Sequence, residues 1–245
     1  MGAVLAIVRM LRMVAHVAHG LMLVHWGWDR RTPQDRQDRI GWWSAKLLRV
    51  LGVRLETVGM PAQGARLVTA NHVSWLDIAA MHAVMPDARF VSKADIKHWP
   101  LVGRLVTAVG TLYIERASKR DALRVVHQTA EALARGETVA VFPEGTTGPG
   151  RPLLPLHGNL LQAAISTGTP LQPVVLRWHQ PGRPYSEAAQ FIGNMTLVAS
   201  MWRIMSARGL TARVQCLPLL PTAHMERRAL ADALARLIDA ELPPA

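Results

Sequence analysis

Apolar residues run almost unbroken from Gly2 to Trp28, interrupted by Arg9, Arg12, His16 and His19. On a helix these four fall within an arc of roughly 80°, leaving the rest of the cylinder to Leu, Val, Met, Ile and Ala. A narrow polar stripe on a broad apolar cylinder suits a helix lying partly sunk in a bilayer. A straight span is less favourable, because two arginines near its middle would cost roughly 2.5–3.5 kcal/mol each. Trp26 and Trp28 close the run, and tryptophan favours the lipid–water boundary. A signal peptide and a hairpin packed on its own domain are the competing readings, the first weakened because no positive segment precedes the apolar stretch. After the polar turn Asp29-Arg30-Arg31, Thr32-Pro33-Gln34-Asp35 predicts a helix start, with Thr32 as N-cap and Pro33 in the first turn. Gly52 predicts its end, and Ile40, Trp43, Leu47, Leu48 and Leu51 share one face, with Trp42 beside them.

From Val53 the pattern changes to short apolar runs alternating with helical periodicity. Strands are predicted at 53–58, 66–70, 88–92, 111–115, 138–142, 171–177 and 211–217. Helices are predicted at 75–85, 98–109, 118–135, 157–167, 194–206 and 223–241. The expectation is an α/β fold, a mixed, mostly parallel sheet covered by helices, preceded by an N-terminal two-helix membrane-associated hairpin. Residues 1–52 would be the hairpin and 53–245 the α/β domain.

The 245 residues carry 28 Lys and Arg against 17 Asp and Glu, a net charge of +11. Residues 1–60 hold nine of the basic groups and four acids, so nearly half the excess sits with the most lipophilic helices. This points to an anionic membrane surface and a monotopic anchor. Nucleic acid is not an expected partner, since there is no Lys/Arg-rich run and no nucleic-acid-reading signature. The single cysteine, Cys216, excludes an internal disulfide, fits a reducing compartment and falls in a strand as a small buried residue.

Polar groups follow four of the predicted strands. Asn71 and His72 come directly after the strand 66–70, and Ser74 can cap the next helix with Asp77 at its N3 position. A carboxylate bonded to one ring nitrogen would fix the tautomer and make the other nitrogen a base. Asp77 has a plain alternative as a capping acid, and the two roles are compatible. Phe142-Pro143-Glu144-Gly145-Thr146-Thr147 follows the strand-like run Thr138 to Val141; it reads as a β-turn or as a loop whose N–H groups and hydroxyls hold a headgroup. Arg116 stands at the end of the strand 111–115, where a guanidinium can clamp a phosphate, and Lys93 follows the strand ending at Ser92.

Asn71-His72 with Asp77 resembles the signature of the glycerolipid acyltransferases, specifically the 1-acylglycerol-3-phosphate acyltransferases. Gly110-Thr111-Leu112-Tyr113-Ile114-Glu115-Arg116 is similar to that family's glycine-to-arginine segment. Phe142-Pro143-Glu144-Gly145-Thr146 resembles its third block and Leu171-Gln172-Pro173-Val174 its fourth, so the matches run in the family's order from 71 to 174. The N-terminal hairpin is also similar to that of bacterial members. Two positions depart: Glu115 stands where aspartate is usual, and Thr147 where an arginine often follows the threonine. The Thr-Thr variant resembles members acting on lyso-ornithine lipids.

The resemblance implies a glycerolipid acyltransferase-like fold at the cytoplasmic face of the inner membrane. It implies that His72, held by Asp77, deprotonates the 2-hydroxyl of a lysophospholipid acceptor, which attacks the thioester of acyl-CoA or acyl carrier protein. Asn71, Lys93, Arg116, Phe142, Pro143, Glu144, Gly145, Thr146 and Thr147 are the candidate substrate-binding residues. No metal or other cofactor is expected. Two other classes compete: a metal hydrolase built on the histidines, which lacks paired-ligand spacing, and a non-catalytic membrane-binding module.

Overall fold

In the computed structural model, residues 2–114 and 119–244 are described. Seven strands, β1 (Arg54–Val58), β2 (Arg66–Ala70), β3 (Ala88–Lys93), β4 (Leu112–Ile114), β5 (Thr138–Val141), β6 (Leu171–His179) and β7 (Thr211–Cys216), form one sheet in the order β1-β7-β6-β2-β5-β3-β4. Strands β6, β2, β5, β3 and β4 run parallel. The β6–β7 pair is antiparallel and β1 lies parallel to β7, so the sheet is mixed and mostly parallel. Each predicted strand is present, and β6 runs two residues further than its apolar pattern suggested, to His179.

Among the described residues, eight α-helices flank it: α1 (Gly2–His25), α2 (Pro33–Leu51), α3 (Asp77–Val84), α4 (Val102–Ala108), α5 (Lys119–Ala134), α6 (Leu161–Thr167), α7 (Leu197–Ser206) and α8 (Arg227–Glu241). The predicted helix 98–109 starts later than expected, at Val102. A 3-10 helix, Ala94–His98, precedes α4, and Trp99, Pro100 and Leu101 separate the two. The proline lacks an N–H for a continuous ladder. One face of the sheet packs on α1, α2, α3 and α7, with Leu48, Leu51, Phe90, Met81, Ile204 and Met205 in its core. The other packs on α6 and α8 through Leu67, Val139, Leu171, Leu230 and Ile238.

The N-terminal helices follow the expected signals at their ends. Thr32 Oγ1 accepts the Asp35 N–H at 3.2 Å, and Gly52 caps α2 with a φ of 80°. Two members of the polar stripe of α1 find partners within the protein. Arg9 Nη1 donates to the carbonyls of Met205 and Ala207 at 2.7 and 2.8 Å, capping the C-terminus of α7. His16 Nε2 bonds the Trp43 carbonyl at 2.9 Å and its ring stacks on the Trp43 indole at 4.7 Å. These two polar side chains therefore face the protein, because its helix ends and indoles supply partners that hydrocarbon cannot. Val4, Ile7, Leu11 and Val14 point outward and are exposed. Of the boundary tryptophans, Trp26 is exposed, whereas Trp28 is buried and donates to the Ala108 carbonyl at 3.0 Å.

Candidate active site

Parallel strands deliver their following loops to one edge of the sheet. The register Ala70↔Val174 and Thr69↔Val141 places the loops after β2 and β5 side by side, against the middle of β6. Asn71 leaves β2 first, and its amide replaces a missing backbone partner for β6. Its Nδ2 donates to the Leu176 carbonyl at 2.9 Å, and its Oδ1 accepts the Leu176 N–H at 2.8 Å. The residue is fully buried, and its two bonds pin the loop to the sheet.

The next residue carries the chemistry. His72 Nδ1 bonds Asp77 Oδ2 at 2.8 Å, with the imidazole partly open and the carboxylate fully buried. The same oxygen accepts the N–H groups of Val73 and Ser74 at 2.7 and 2.9 Å, and Oδ1 accepts Trp178 Nε1 at 2.6 Å. Four donors compensate a buried carboxylate that would otherwise be costly. The predicted capping box is not formed: Asp77 is the first residue of α3, the cap position is Leu76 without a side-chain cap bond, and the Ser74 hydroxyl accepts the Leu76 N–H at 3.4 Å. Asp77 thus serves the turn into α3 and the histidine together. Since the carboxylate only accepts, Nδ1 carries the hydrogen and Nε2 is left with a lone pair.

The second loop supports this pair more than it offers itself to solvent. Phe142 lies flat on the His72 ring, with centroids 3.9 Å apart and planes within 10°. Phe90 continues the column at 5.8 Å, and His82 meets Phe90 edge-on at 4.7 Å. His82 is buried with both ring nitrogens unpartnered, and burial pushes its pKa down to about 4, so it stays neutral. Glu144 Oε1 accepts the His72 backbone N–H at 2.7 Å, and Oε2 accepts the Leu154 N–H at 3.3 Å. Burial raises the Glu144 pKa to about 7 against the pull of those two donors, and the Asp77 charge adds to the rise. Each oxygen accepts one backbone N–H, so Glu144 ties the His72 loop to the 144–154 turn.

The remaining loop residues close the turn. The Pro143 carbonyl accepts the His157 N–H at 2.8 Å, and Gly145 takes a φ of 70°, which a side chain would strain. The Gly148 N–H donates to the His72 carbonyl at 2.7 Å. Thr147 donates its hydroxyl to the Phe191 carbonyl, while Thr146 is exposed. Lys93 is exposed at the end of β3, on the same edge of the sheet. Arg116 and Glu115 lie outside the described residues. Trp178 was missed by sequence reasoning because the apolar pattern of β6 ended at Arg177; nothing local marks it as Asp77's partner. Among the described residues, no group of three His, Cys, Asp or Glu side chains converges as metal ligands.

Residues 54–177 match the family described as Acyltransferase. A lyso-ornithine lipid O-acyltransferase of Pseudomonas aeruginosa is 35% identical over 231 residues, covering 92% of this chain and 88% of that protein. A 1-acyl-sn-glycerol-3-phosphate acyltransferase of Neisseria meningitidis is 37% identical over 218 residues, covering 87% and 84%. The crystal structure of the 1-acyl-sn-glycerophosphate acyltransferase of Thermotoga maritima superposes with a TM-score of 0.73 at 16% identity, over 98% of this chain and 95% of that one. That last likeness is one of fold.

Proposed function

The chain belongs to the glycerolipid acyltransferase family, and on that premise we propose that it transfers a fatty acyl group from acyl-CoA or acyl carrier protein to the 2-hydroxyl of lysophosphatidate, giving phosphatidate. The observation that carries this reading is the His72–Asp77 pair, bonded at 2.8 Å through Nδ1, with Asp77 held by three further donors. The free Nε2 takes the hydroxyl proton as the oxygen forms its bond to the thioester carbonyl carbon. The tetrahedral intermediate collapses, the carbon–sulfur bond breaks, and the imidazolium returns its proton to the leaving thiolate. Phe142 stacked on the ring and Asp77 bonded to its edge fix the imidazole in both planes, which lowers the cost of orienting the base. No acyl-enzyme is required, and the chain's one cysteine, Cys216, is buried with its thiol pKa pushed up to about 11 by desolvation.

The acceptor has a second reading. Thr147 occupies the position where an arginine often follows the threonine, and its hydroxyl is spent on the Phe191 carbonyl. A neutral group there favours an acceptor without a phosphate, such as a lyso-ornithine lipid. For the membrane, the outward apolar face of α1 would lie in the cytoplasmic leaflet of the inner membrane, which holds lipid substrate and product.

Purified full-length protein in detergent micelles, given acyl-CoA and either lysolipid, should release free thiol with one acceptor preferred. His72→Ala should lower turnover at least about 100-fold, the lower range for losing a general base. Unchanged turnover in a folded His72→Ala protein would end the catalytic assignment.

A further inference from the structure

Lys97, His98, Trp99, Pro100 and Leu101 are all exposed, and none belongs to the His72 site. The chain leaves β3 on the edge of the sheet that carries that site, makes the short 3-10 helix, and turns here into α4. The turn is a γ-turn: the Val102 N–H donates to the Pro100 carbonyl at 2.7 Å, across Leu101 with φ 65° and ψ −55°. Such a conformation is strained for any residue with a Cβ, and glycine would relieve it. Instead the position carries a leucine 57% exposed, next to a tryptophan 42% exposed. The strain is held in place. The Gly103 N–H bonds the Trp99 carbonyl at 3.0 Å, and a side chain on Gly103 would collide with the Lys97 carbonyl.

The tip is continuous with α1. From Leu101 the chain enters α4, whose Leu105 side chain lies against Gly20 of α1 and whose Ala108 carbonyl receives the Trp28 indole. Exposed Lys97, His98 and Arg104 flank the apolar residues. Bulky apolar side chains at a tip with basic neighbours are the pattern of a segment seated at the headgroup–acyl boundary of an anionic leaflet. A single helix lying in a membrane leaves the attached body free to roll about that helix axis. A second contact away from the axis removes the roll.

We propose that the Trp99-Pro100-Leu101 turn is a second bilayer-inserting element, which seats in the same anionic leaflet as α1 and turns the β3 side of the His72 edge toward the lipid. This inference rests on the reading of α1 as a helix lying in the membrane, and the test separates the two. Leu101→Cys is made in a Cys216→Ala background and labelled with nitrobenzoxadiazole; Leu237→Cys on α8 is the control. With phosphatidylglycerol–phosphatidylethanolamine vesicles, the label at 101 should shift to the blue and brighten, and the label at 237 should not move. Flotation of the protein with an unmoved label at 101 would overturn the proposal and leave the α1 reading standing; no flotation would sink both. A shift that follows protein concentration without vesicles would assign the turn to a second copy of the chain and overturn the proposal. In the activity arm, the double variant Trp99→Ser with Leu101→Ser should raise the apparent KM for vesicle-embedded acceptor by about tenfold, while kcat in detergent micelles stays the same. Equal losses in vesicles and micelles would mark the turn as merely structural and overturn the proposal.

Discussion

Glu144→Gln tests the electrostatics of the His72 loop through stability. The Glu144 carboxyl is only 5% exposed, and burial raises its pKa from 4.5 to about 7. The folded state therefore holds this proton more tightly than the unfolded chain does. Its stabilising contribution is complete below about pH 4.5 and is lost as pH rises through 7. At 1.36 kcal/mol per pKa unit the full swing is about 3 kcal/mol. Glutamine cannot titrate. Its amide oxygen can still accept the His72 N–H, but its NH2 faces the Leu154 N–H, a fixed cost of about 1–3 kcal/mol that does not change with pH. Thermal unfolding of both proteins in detergent at pH 5, 6, 7 and 8 separates the two contributions, because all other titrating groups are shared. The stability of the wild type minus that of the variant should fall by about 2.5 kcal/mol across the series, roughly 5–10 °C in the Tm difference for a chain of this size. A difference that stays constant with pH would refute the raised pKa and, with it, the view that burial outweighs the two N–H donors.

Trp178→Phe keeps the ring packing but removes the donor 2.6 Å from Asp77 Oδ1. It should cost about 1.5–3 kcal/mol in unfolding free energy and lower turnover about tenfold; wild-type rate and stability together would show that the remaining three donors suffice. Arg9→Met removes both bonds to the end of α7, worth about 1–2 kcal/mol together. Limited proteolysis should then cut faster in the 26–32 turn, and an unchanged cleavage rate would mean that apolar contacts alone hold α1.

Hydrophobic periodicity resolved the strands and helices because each sheet face and each helix stripe must be buried within the same few residues. Their arrangement across the sheet was less accessible. Nothing in the run Thr211–Cys216 announces that β7 opposes β6, since the reversal depends on the path of the 180–210 connection. The stripe on α1 was visible as a set, but periodicity gives an angle between residues and not the direction in which the set points. Arg9 and His16 turned inward because α7 ends and Trp43 lies there. At the site, the spacing of His72 and Asp77 was readable because a tight turn into a helix brings its first carboxylate back to the N–H groups just before it, here those of Val73 and Ser74. Asn71, Glu144 and Trp178 act through partners 105, 72 and 101 residues away, a separation at which one sequence carries no pairing signal.

Those separations also order events during synthesis. Of the groups that fix the His72 loop, Glu144 comes from the chain after β5, the Leu176 backbone and Trp178 from β6, and the Phe191 N–H that meets the Val73 carbonyl from beyond it. A nascent chain that has emerged only as far as β5 already contains His72, Asp77 and the local N–H donors of Val73 and Ser74, yet lacks the groups of Glu144, Leu176 and Trp178 that fix this turn to the sheet. Such non-local closures form late, because the intervening loop entropy precedes any reward. The anchoring of the acid–base pair to the sheet is therefore among the last features to mature, after the apolar N-terminal helix has long been available to meet a lipid surface.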